Sequence, residues 1–139
     1  MAVHVLTVLA YKEGDRVTSA FLAGSVNTNP VIIRRLLLDL QQARLIETTK
    51  GAGAGSRLTR SPGRINLAEV FRAVEEPETF ARPSGKPNQD CPVAQCMREE
   101  LDRVFASARA ALERDLEKTT LAKLMTAARA CACSHKHAV

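Results

Sequence analysis

Two sets of side chains in this 139-residue sequence have chemistry beyond packing: basic residues crowded into one segment, and cysteines confined to the last third. Residues 30 to 64 contain seven lysines and arginines against two acids, so this segment alone carries a charge of +5. Residues 76 to 139 contain ten bases and nine acids and are close to balance. A positive field focused on one segment is typical of a surface that meets phosphates. The alternative is a solvated basic patch.

Two of the four cysteines flank the start of a predicted long helix. Cys91 directly precedes Pro92, which places it at or next to the helix N-cap, where the positive end of the helix favours thiolate over thiol. Cys96 would lie about 140° around the helix from Cys91, so the two cannot bond to each other unless the first turn unwinds. We therefore treat Cys91 and Cys96 as candidate redox-sensing residues; unreactive reduced thiols are the alternative.

The other two cysteines belong to a short tail, "CACSHKH". The tail places Cys131, Cys133, His135 and His137 at alternate positions, which in an extended chain would project to one side. Thiolate and imidazole groups suit zinc or copper. Such tight spacing is poor for a single tetrahedral site, so a metal here would need ligands from elsewhere. A disordered tail is the alternative.

The basic segment begins with a predicted helix that follows a turn. Asn and Ser in "SVNTN" favour a turn, and Asn29 is a candidate N-cap for a helix whose first residue is Pro30. This helix, the third along the chain, carries Arg34 and Arg35 and is expected to end near Ala43. Its apolar residues are expected to seat it on its own domain: Val31, Ile32, Leu36, Leu37 and Leu40. Two helices, a short turn and a third helix outline a helix-turn-helix.

A hairpin is predicted next. "LIETTKGAGAGSRLTR" has β-branched residues on either side of a Gly-Ala tip, with Lys50 on the outgoing side and Arg57 and Arg60 on the return. Asn66 then caps a fourth helix. A helix-turn-helix followed by a basic hairpin is a winged helix, so the expected fold is mainly α with a small β-hairpin wing.

The second half of the chain predicts a linker and long helices. Prolines and a glycine mark residues 76–91 as a linker loop, and residues from about 92 to 118 form an amphipathic stretch too long for a small domain to cover. Dimerisation through this helix is the favoured explanation; packing against its own domain is the alternative. The predicted interface comprises Met97, Leu101, Val104, Phe105, Ala108 and Leu112. The expected organisation is a winged helix-turn-helix at 1–75, the linker at 76–91, dimerisation helices at 92–130 and a Cys/His tail at 131–139.

Three motifs resemble the Rrf-two (Rrf2) family of bacterial transcriptional regulators: "SVNTNPVIIRR", the glycine-rich wing tip followed by "RLTR", and "INLAEVFRAVE". The entry "KPNQDCPVAQC" into the long helix also fits. The resemblance implies a homodimeric DNA-binding regulator, usually a repressor, with its recognition helix in the major groove of a palindromic operator and its wing at the minor groove or backbone. The candidate DNA-contacting residues are Thr28, Asn29, Arg34, Arg35, Lys50, Gly53, Arg57 and Arg60.

The resemblance also bears on cofactors. Some family members hold an iron–sulfur cluster through three cysteines in the loop and at the start of the long helix. This chain offers two there, Cys91 and Cys96, so it is more similar to a cluster-free branch and we expect no cofactor; a zinc or copper ion at the tail, or a cluster, would make it a metal-sensing regulator instead.

Other function classes fit less well. The sequence lacks a phosphate-binding loop, a nucleophile with a placed base and paired carboxylates in an apolar setting, so an enzyme is not expected. A winged helix used for protein contacts, or a metal- or thiol-handling module, is the competing class. No apolar run reaches the roughly 18 residues that span a bilayer, and no signal peptide is evident, which predicts a cytoplasmic protein.

Overall fold

The computed structural model describes residues 1–12, 14–75, 88 and 90–135. Six helices and one hairpin follow in order: α1 Ala2–Tyr11, α2 Ser19–Val26, α3 Pro30–Gln42, β1 Ile46–Thr49, β2 Gly55–Leu58, α4 Leu67–Val74, α5 Pro92–Leu116 and α6 Leu121–His135, with a 3-10 turn at Pro62–Arg64. This confirms the expected mainly helical fold with a β-hairpin wing. Most of the predicted linker, and His137, lie outside the described residues. Within the described ranges, no helix is both long and apolar enough to cross a bilayer.

The core lies where α1, α2, α3 and the hairpin meet. Leu6, Leu22, Leu40 and Ile46 are fully buried there, one from each element. Thr18 caps α2 by accepting from the Phe21 N–H, and Asn29 caps α3 by accepting from the Val31 N–H, as the sequence predicted for Asn29. These caps fix the turn between α2 and α3 and so set the orientation of α3.

The packing face of α3 differs from the one that the sequence suggested. Ile33, Leu37 and Leu40 are buried and Leu36 is half-buried, whereas Val31 and Ile32 are exposed. The expectation that Val31 and Ile32 seat the helix was wrong. Ile33, Leu37 and Leu40 share one side at i, i+4 and i+7, and because Val31 and Ile32 precede Ile33 by 200° and 100° of helical turn, they fall outside that side.

The wing is held against the body of the domain by its return strand. β1 and β2 are antiparallel, with Ile46 opposite Leu58 and Thr49 opposite Gly55. The buried Ser56 exchanges two backbone hydrogen bonds of 2.9 Å with Val17, which adds a single bridge to the sheet. Gly55 permits this approach: it has a φ of 155°, and a Cβ on it would lie 3.0 Å from the Arg16 carbonyl carbon and the Val17 nitrogen.

We expect Gly55→Ala to lower the free energy of unfolding by about 2 kcal/mol or more, because the new methyl must displace backbone rather than a flexible side chain, at a φ that favours glycine. Urea unfolding followed by circular dichroism measures this. Gly24→Ala is the matched control: it lies inside α2 with nothing within 4 Å of a Cβ. That change should raise stability by up to about 1 kcal/mol. Equal stability of the two variants would contradict this account of the wing.

α4 begins with a reciprocal cap that orders the base of the wing. The Asn66 side chain accepts from the Glu69 N–H at 3.0 Å, and the Glu69 carboxylate accepts from the Asn66 N–H at 3.1 Å. This is a capping box, which satisfies two otherwise orphaned donors. The predicted helix start at Asn66 is therefore confirmed.

The last helix begins against the winged helix. The Leu121 N–H donates to the Ile65 carbonyl, the Leu67 N–H donates to the Thr119 carbonyl, and the Leu121 side chain is fully buried in the core. The N-terminus of α6 therefore completes the core of the winged helix, and the assignment of residues 92–130 to dimerisation helices stays a prediction.

Candidate nucleic-acid interface

A groove separates α3 from the wing and contains two of the predicted DNA-contacting residues. Its volume is about 460 Å³, and Arg34 from α3 and Lys50 from the wing line it. Six polar residues that the sequence did not single out also line it: Thr18, Ser19, Gln41, Thr48, Thr49 and Ser56. Thr18 and Ser19 belong to the N-terminus of α2, which the turn at 27–29 brings beside α3. Their hydroxyls can bond phosphate oxygens, a common use of Ser and Thr at DNA backbones.

The cations at this surface are uncompensated. Arg34, Arg35 and Lys50 are exposed, and none forms an ion pair with any residue in the described ranges. By contrast, Arg16, Arg57, Arg60, Arg72 and Arg109 each contact a carboxylate. Free cations that flank a groove attract a polyanion, because binding releases the condensed counterions of the nucleic acid.

The two adjacent arginines of α3 point to different sides of the helix. Arg34 lines the groove against the wing. Arg35 lines a second groove of about 400 Å³ on the other side, shared with Ile32, Asp39 and Glu75. Consecutive helical residues differ by about 100° in direction, so this divergence is built into the helix. The two side chains therefore reach different parts of a bound duplex.

The N-terminus of α3 offers less to a phosphate than the sequence suggested. The Val31 N–H donates to the Asn29 side chain at 2.9 Å, and the Ile32 and Ile33 N–H groups donate to the Asn29 carbonyl. The first-turn N–H groups are therefore not free for a phosphate: Asn29 accepts them all, and Pro30 has none. Thr28 is half-buried and Asn29 exposed beside this cap. Their contact with DNA stays a prediction that rests on the side chains.

Arg57 does not line the groove. It is directly opposite Glu47 across the hairpin, on the strand face other than that of Thr48 and Ser56, and its Nε lies 2.5 Å from Glu47 Oε1. The Arg57 guanidinium, which donates to Glu47, holds the pKa of that carboxyl below its usual value, and Arg16 adds to the effect. A carboxyl whose pKa is lowered on folding stabilises the folded protein at pH values above its unfolded-state pKa. That contribution to stability is lost as the pH falls through the folded-state pKa. The pair is therefore intact at neutral pH, and Arg57 is compensated there.

We expect Lys50→Ala and Arg57→Ala to affect DNA binding differently. Lys50→Ala should reduce the magnitude of the log–log salt slope by about 0.9 per subunit, because one phosphate contact is lost. Arg57→Ala should leave the slope unchanged, since Glu47 already neutralises that charge. Fluorescence anisotropy across a salt series measures both slopes. A smaller slope in Arg57→Ala would mean that Arg57 leaves Glu47 to bind phosphate, as the sequence first suggested.

Arg60 is tied to the base of the wing. Its Nη2 lies 2.5 Å from Glu69 Oε1, and Glu69 is the acid of the α4 capping box. Its Nε is buried and lacks a hydrogen-bond partner among the described residues. The Arg60 guanidinium is thus turned toward α4 in the free protein, and its contact with DNA stays a prediction. Gly53 lies at the exposed wing tip with a φ of 76°, so its close approach to a sugar-phosphate edge stays a prediction.

The cysteines near α5 are placed as predicted. Cys91 is the N-cap of α5, with Pro92 as the first helical residue, and its side chain makes no capping hydrogen bond. Cys91 is half-buried and Cys96 is exposed; both are free thiols. The loop and the first turns of α5 thus supply two thiols, one short of the set that the family's clusters use. No group of three or more metal-binding side chains occurs in the parts of the chain that the structure describes. That the chain holds no iron–sulfur cluster stays a prediction.

The tail differs from the expected extended strand. α6 continues to His135, so the backbone at residues 131, 133 and 135 is helical rather than extended. The expected alternation requires an extended chain, and that premise is corrected for these three positions.

α5 has two faces. One packs on α4, where Arg109 pairs with Glu75 at 2.5 Å and with Glu113 at 3.1 Å, and Arg72 pairs with Glu113 at 3.3 Å. The other face presents a row of exposed apolar residues: Val93, Met97, Leu101, Val104, Ala108 and Leu112. Phe105 is half-buried between the faces. Within the described chain, the apolar row has no covering element.

Comparison with known proteins identifies the fold. A sequence profile of the Rrf2 family, described as an iron-dependent transcriptional regulator, matches residues 1–127. YwnA of Bacillus subtilis (strain 168), named an HTH-type transcriptional regulator, is 34% identical over 125 residues, which are 90% of this chain and 92% of YwnA. These relatives are transcriptional regulators by name rather than enzymes.

Comparison with solved structures also finds transcriptional regulators. A transcriptional regulator from Lactobacillus plantarum superposes with a TM-score of 0.75 at 26% identity, covering 90% of this chain and 85% of that one. CymR, the global cysteine regulator of B. subtilis, superposes with a TM-score of 0.62 at 25% identity, covering 90% of each chain. The winged-helix fold and its use in DNA-binding transcriptional regulation, both expected from the sequence motifs, are confirmed.

Proposed function

The chain belongs to the Rrf2 family of transcriptional regulators, and on that premise we propose that it represses transcription as a homodimer bound to a palindromic operator. The observation that carries the proposal is the groove between α3 and the wing, where Arg34 and Lys50 are exposed and make no ion pair with the described residues. Such a repressor works with the chromosome in the cytoplasm.

The exposed row on α5 supports the dimer. α5 has 25 residues and is therefore about 37 Å long. Its apolar row repeats at intervals of three and four residues, which is the spacing of a helix–helix seam. A second copy of the chain would bury this row, and two recognition helices would then meet half-sites about one helical turn of DNA apart.

We propose that the repressor works without a metal or cluster. Cys91 and Cys96 supply two ligands where the iron–sulfur members of the family use three cysteines, and the tail cysteines lie at the far end of α6. Although the family profile is described as iron-dependent, the donor set of this chain does not support that property.

Cys91 is the proposed sensor. Its free, half-buried thiol lies at the N-terminus of α5, and a cysteine thiolate attacks a peroxide oxygen to give a sulfenic acid and hydroxide. Because Cys91 caps the helix that pairs the subunits, its oxidation would disturb the start of α5 and with it the spacing of the recognition helices.

We expect chelator-treated, reduced protein to bind DNA from its own upstream region tightly and to lose at least about tenfold in affinity after peroxide treatment, the lower end of typical allosteric coupling. Fluorescence anisotropy measures the affinity, and the visible spectrum is recorded on the same sample. Cys91→Ser should bind as tightly and resist peroxide; Cys96→Ser is the matched control and should remain sensitive.

Three other results would each correct part of the proposal. Binding indifferent to peroxide would make the cysteines bystanders in a DNA-binding repressor. Absorption by the protein in the visible range would show that it holds an iron–sulfur cluster, contrary to the proposal. Binding that is no tighter than to unrelated DNA would favour the competing class, a winged helix used for protein contacts or for metal and thiol handling.

A further inference from the structure

The outward ridge of α3 carries an unexpected combination of side chains. We use this term for Val31, Arg35, Leu38 and Gln42, which recur at i, i+4, i+7 and i+11 and lie on the side opposite the buried Ile33, Leu37 and Leu40. Val31 is 64% exposed and Leu38 is 59% exposed. Two large apolar residues thus flank an uncompensated arginine at the crest of the helix.

Folding of the described chain does not require these apolar residues. The core beneath α3 is complete with Ile33, Leu37 and Leu40, and α3 contacts α2, α4 and β1 through its other sides. A solvated crest in a polyanion-binding surface would be expected to carry lysine, arginine or amide side chains. Apolar side chains here favour a ligand that is charged around its edge and apolar at the contact itself.

The major groove of DNA is such a ligand. It presents phosphates along both rims, and on its floor the C5-methyl of thymine, which apolar side chains contact, and the O6 and N7 of guanine, which arginine binds in bidentate fashion. In helix-turn-helix proteins, the recognition helix enters this groove and contacts base edges there.

We propose that Val31 and Leu38 read thymine methyl groups on either side of a guanine bound by Arg35. This rests on the DNA binding of the family and adds base specificity to the proposed repressor. Along the helix axis, Val31 precedes Arg35 by about 6 Å and Leu38 follows it by about 4.5 Å. Since successive bases rise by about 3.4 Å, the thymines lie within about two base pairs of the guanine.

The test begins with a duplex chosen by the protein. Purified dimer selects tight binders from a random DNA library, and the best duplex is remade with each thymine replaced singly by deoxyuridine, which removes the methyl and nothing else. We expect one or two positions per half-site, close to a guanine, to lose about fourfold in affinity, the effect of one buried methyl. This scan uses the unmodified protein.

Protein variants then assign each methyl to a residue. In Leu38→Ala, deoxyuridine should no longer lower the affinity at one of the two sensitive positions but should still lower it at the other. In Val31→Ala, the two positions should exchange these responses. Ile32→Ala is the matched control, because Ile32 is 49% exposed on the same helix but lies about 100° around the helix from Val31, outside the ridge. It should leave both sensitivities intact.

The outcomes separate this inference from the proposed function. A tight, sequence-specific complex in which no thymine is sensitive to loss of its methyl would overturn methyl readout while leaving the repressor standing. Failure to select any sequence would count against the repressor itself. A change in oligomeric state of Leu38→Ala or Val31→Ala in light scattering would mean that the ridge contacts protein instead of DNA, which also overturns the inference.

Discussion

Replacing both Arg34 and Arg35 with alanine should weaken specific DNA binding at least about 100-fold, because each subunit loses one arginine contact to a base edge and one to the backbone, and a good base contact alone contributes about 1–3 kcal/mol. Both side chains are exposed on α3 and neither is neutralised by an ion pair with the described residues, so they are available to a ligand in the free protein. Anisotropy titration with the selected duplex measures the loss.

The two single variants should have different effects on DNA binding. Arg35 lies on the outward ridge, so Arg35→Ala should reduce discrimination at one operator position per half-site. Arg34 lines the groove against the wing together with Lys50, so Arg34→Ala should weaken binding to all sequences and reduce the salt slope by about 1 per subunit. The structure thus separates two adjacent arginines that the sequence could not distinguish.

Arg98→Ala is the control for these variants, because Arg98 is an exposed arginine on α5, away from α3 and the wing. It should leave both affinity and specificity unchanged. If Arg34→Ala alone altered base preference and Arg35→Ala alone altered the salt slope, the roles would be reversed. If the double variant bound its operator normally, the interface would lie elsewhere.

Local features of this fold could be predicted from sequence where one residue decides the backbone. α3 begins at Pro30, which has no N–H to satisfy, directly after the Asn29 cap. α4 begins directly after Asn66, which exchanges capping hydrogen bonds with Glu69. Both helices begin where expected. The Gly-Ala wing tip likewise predicts a hairpin, because glycine accepts the positive φ values found there.

The face of α3 could not be predicted because the helix is apolar on too many sides. Its first nine residues contain six large aliphatic side chains and two arginines, so several helical faces fit the pattern equally well. The choice of Ile33 over Ile32 depends on the caps of α2 and α3, which set the rotation of α3 against the core. The buried face of α3 is therefore set by tertiary packing, because the periodicity of its apolar residues fits several faces.

The ion pairs of Arg57 and Arg60 were missed for a related reason. Counting charges along the segment treats every arginine as free. Arg57 meets Glu47 through the strand register, and Arg60 meets Glu69 because the turn at 62–64 folds α4 back on the wing. The hairpin register would have given the first pair, had it been combined with the charge count. The second requires the three-dimensional turn.

The exposed row on α5 gives the other large effect: Val104→Glu should convert the protein from a dimer to a folded monomer. Val104 is 58% exposed at the middle of the row, where a second copy would bury it. An unpaired carboxylate in the centre of a helix–helix seam costs several kcal/mol, and symmetry places two of them there. Light scattering should show half the mass, and circular dichroism an unchanged helix content.

Loss of the dimer should also weaken operator binding by about 100-fold or more, since linking two half-site contacts multiplies their strength by 10²–10⁴. Ala110→Glu is the matched control: Ala110 is exposed on α5, but six residues beyond Val104 it faces about 120° away from the row. It should stay dimeric and bind normally. A Val104→Glu protein that remained dimeric would show that α5 does not pair the subunits. A monomer with full operator affinity would show that one winged helix suffices for recognition.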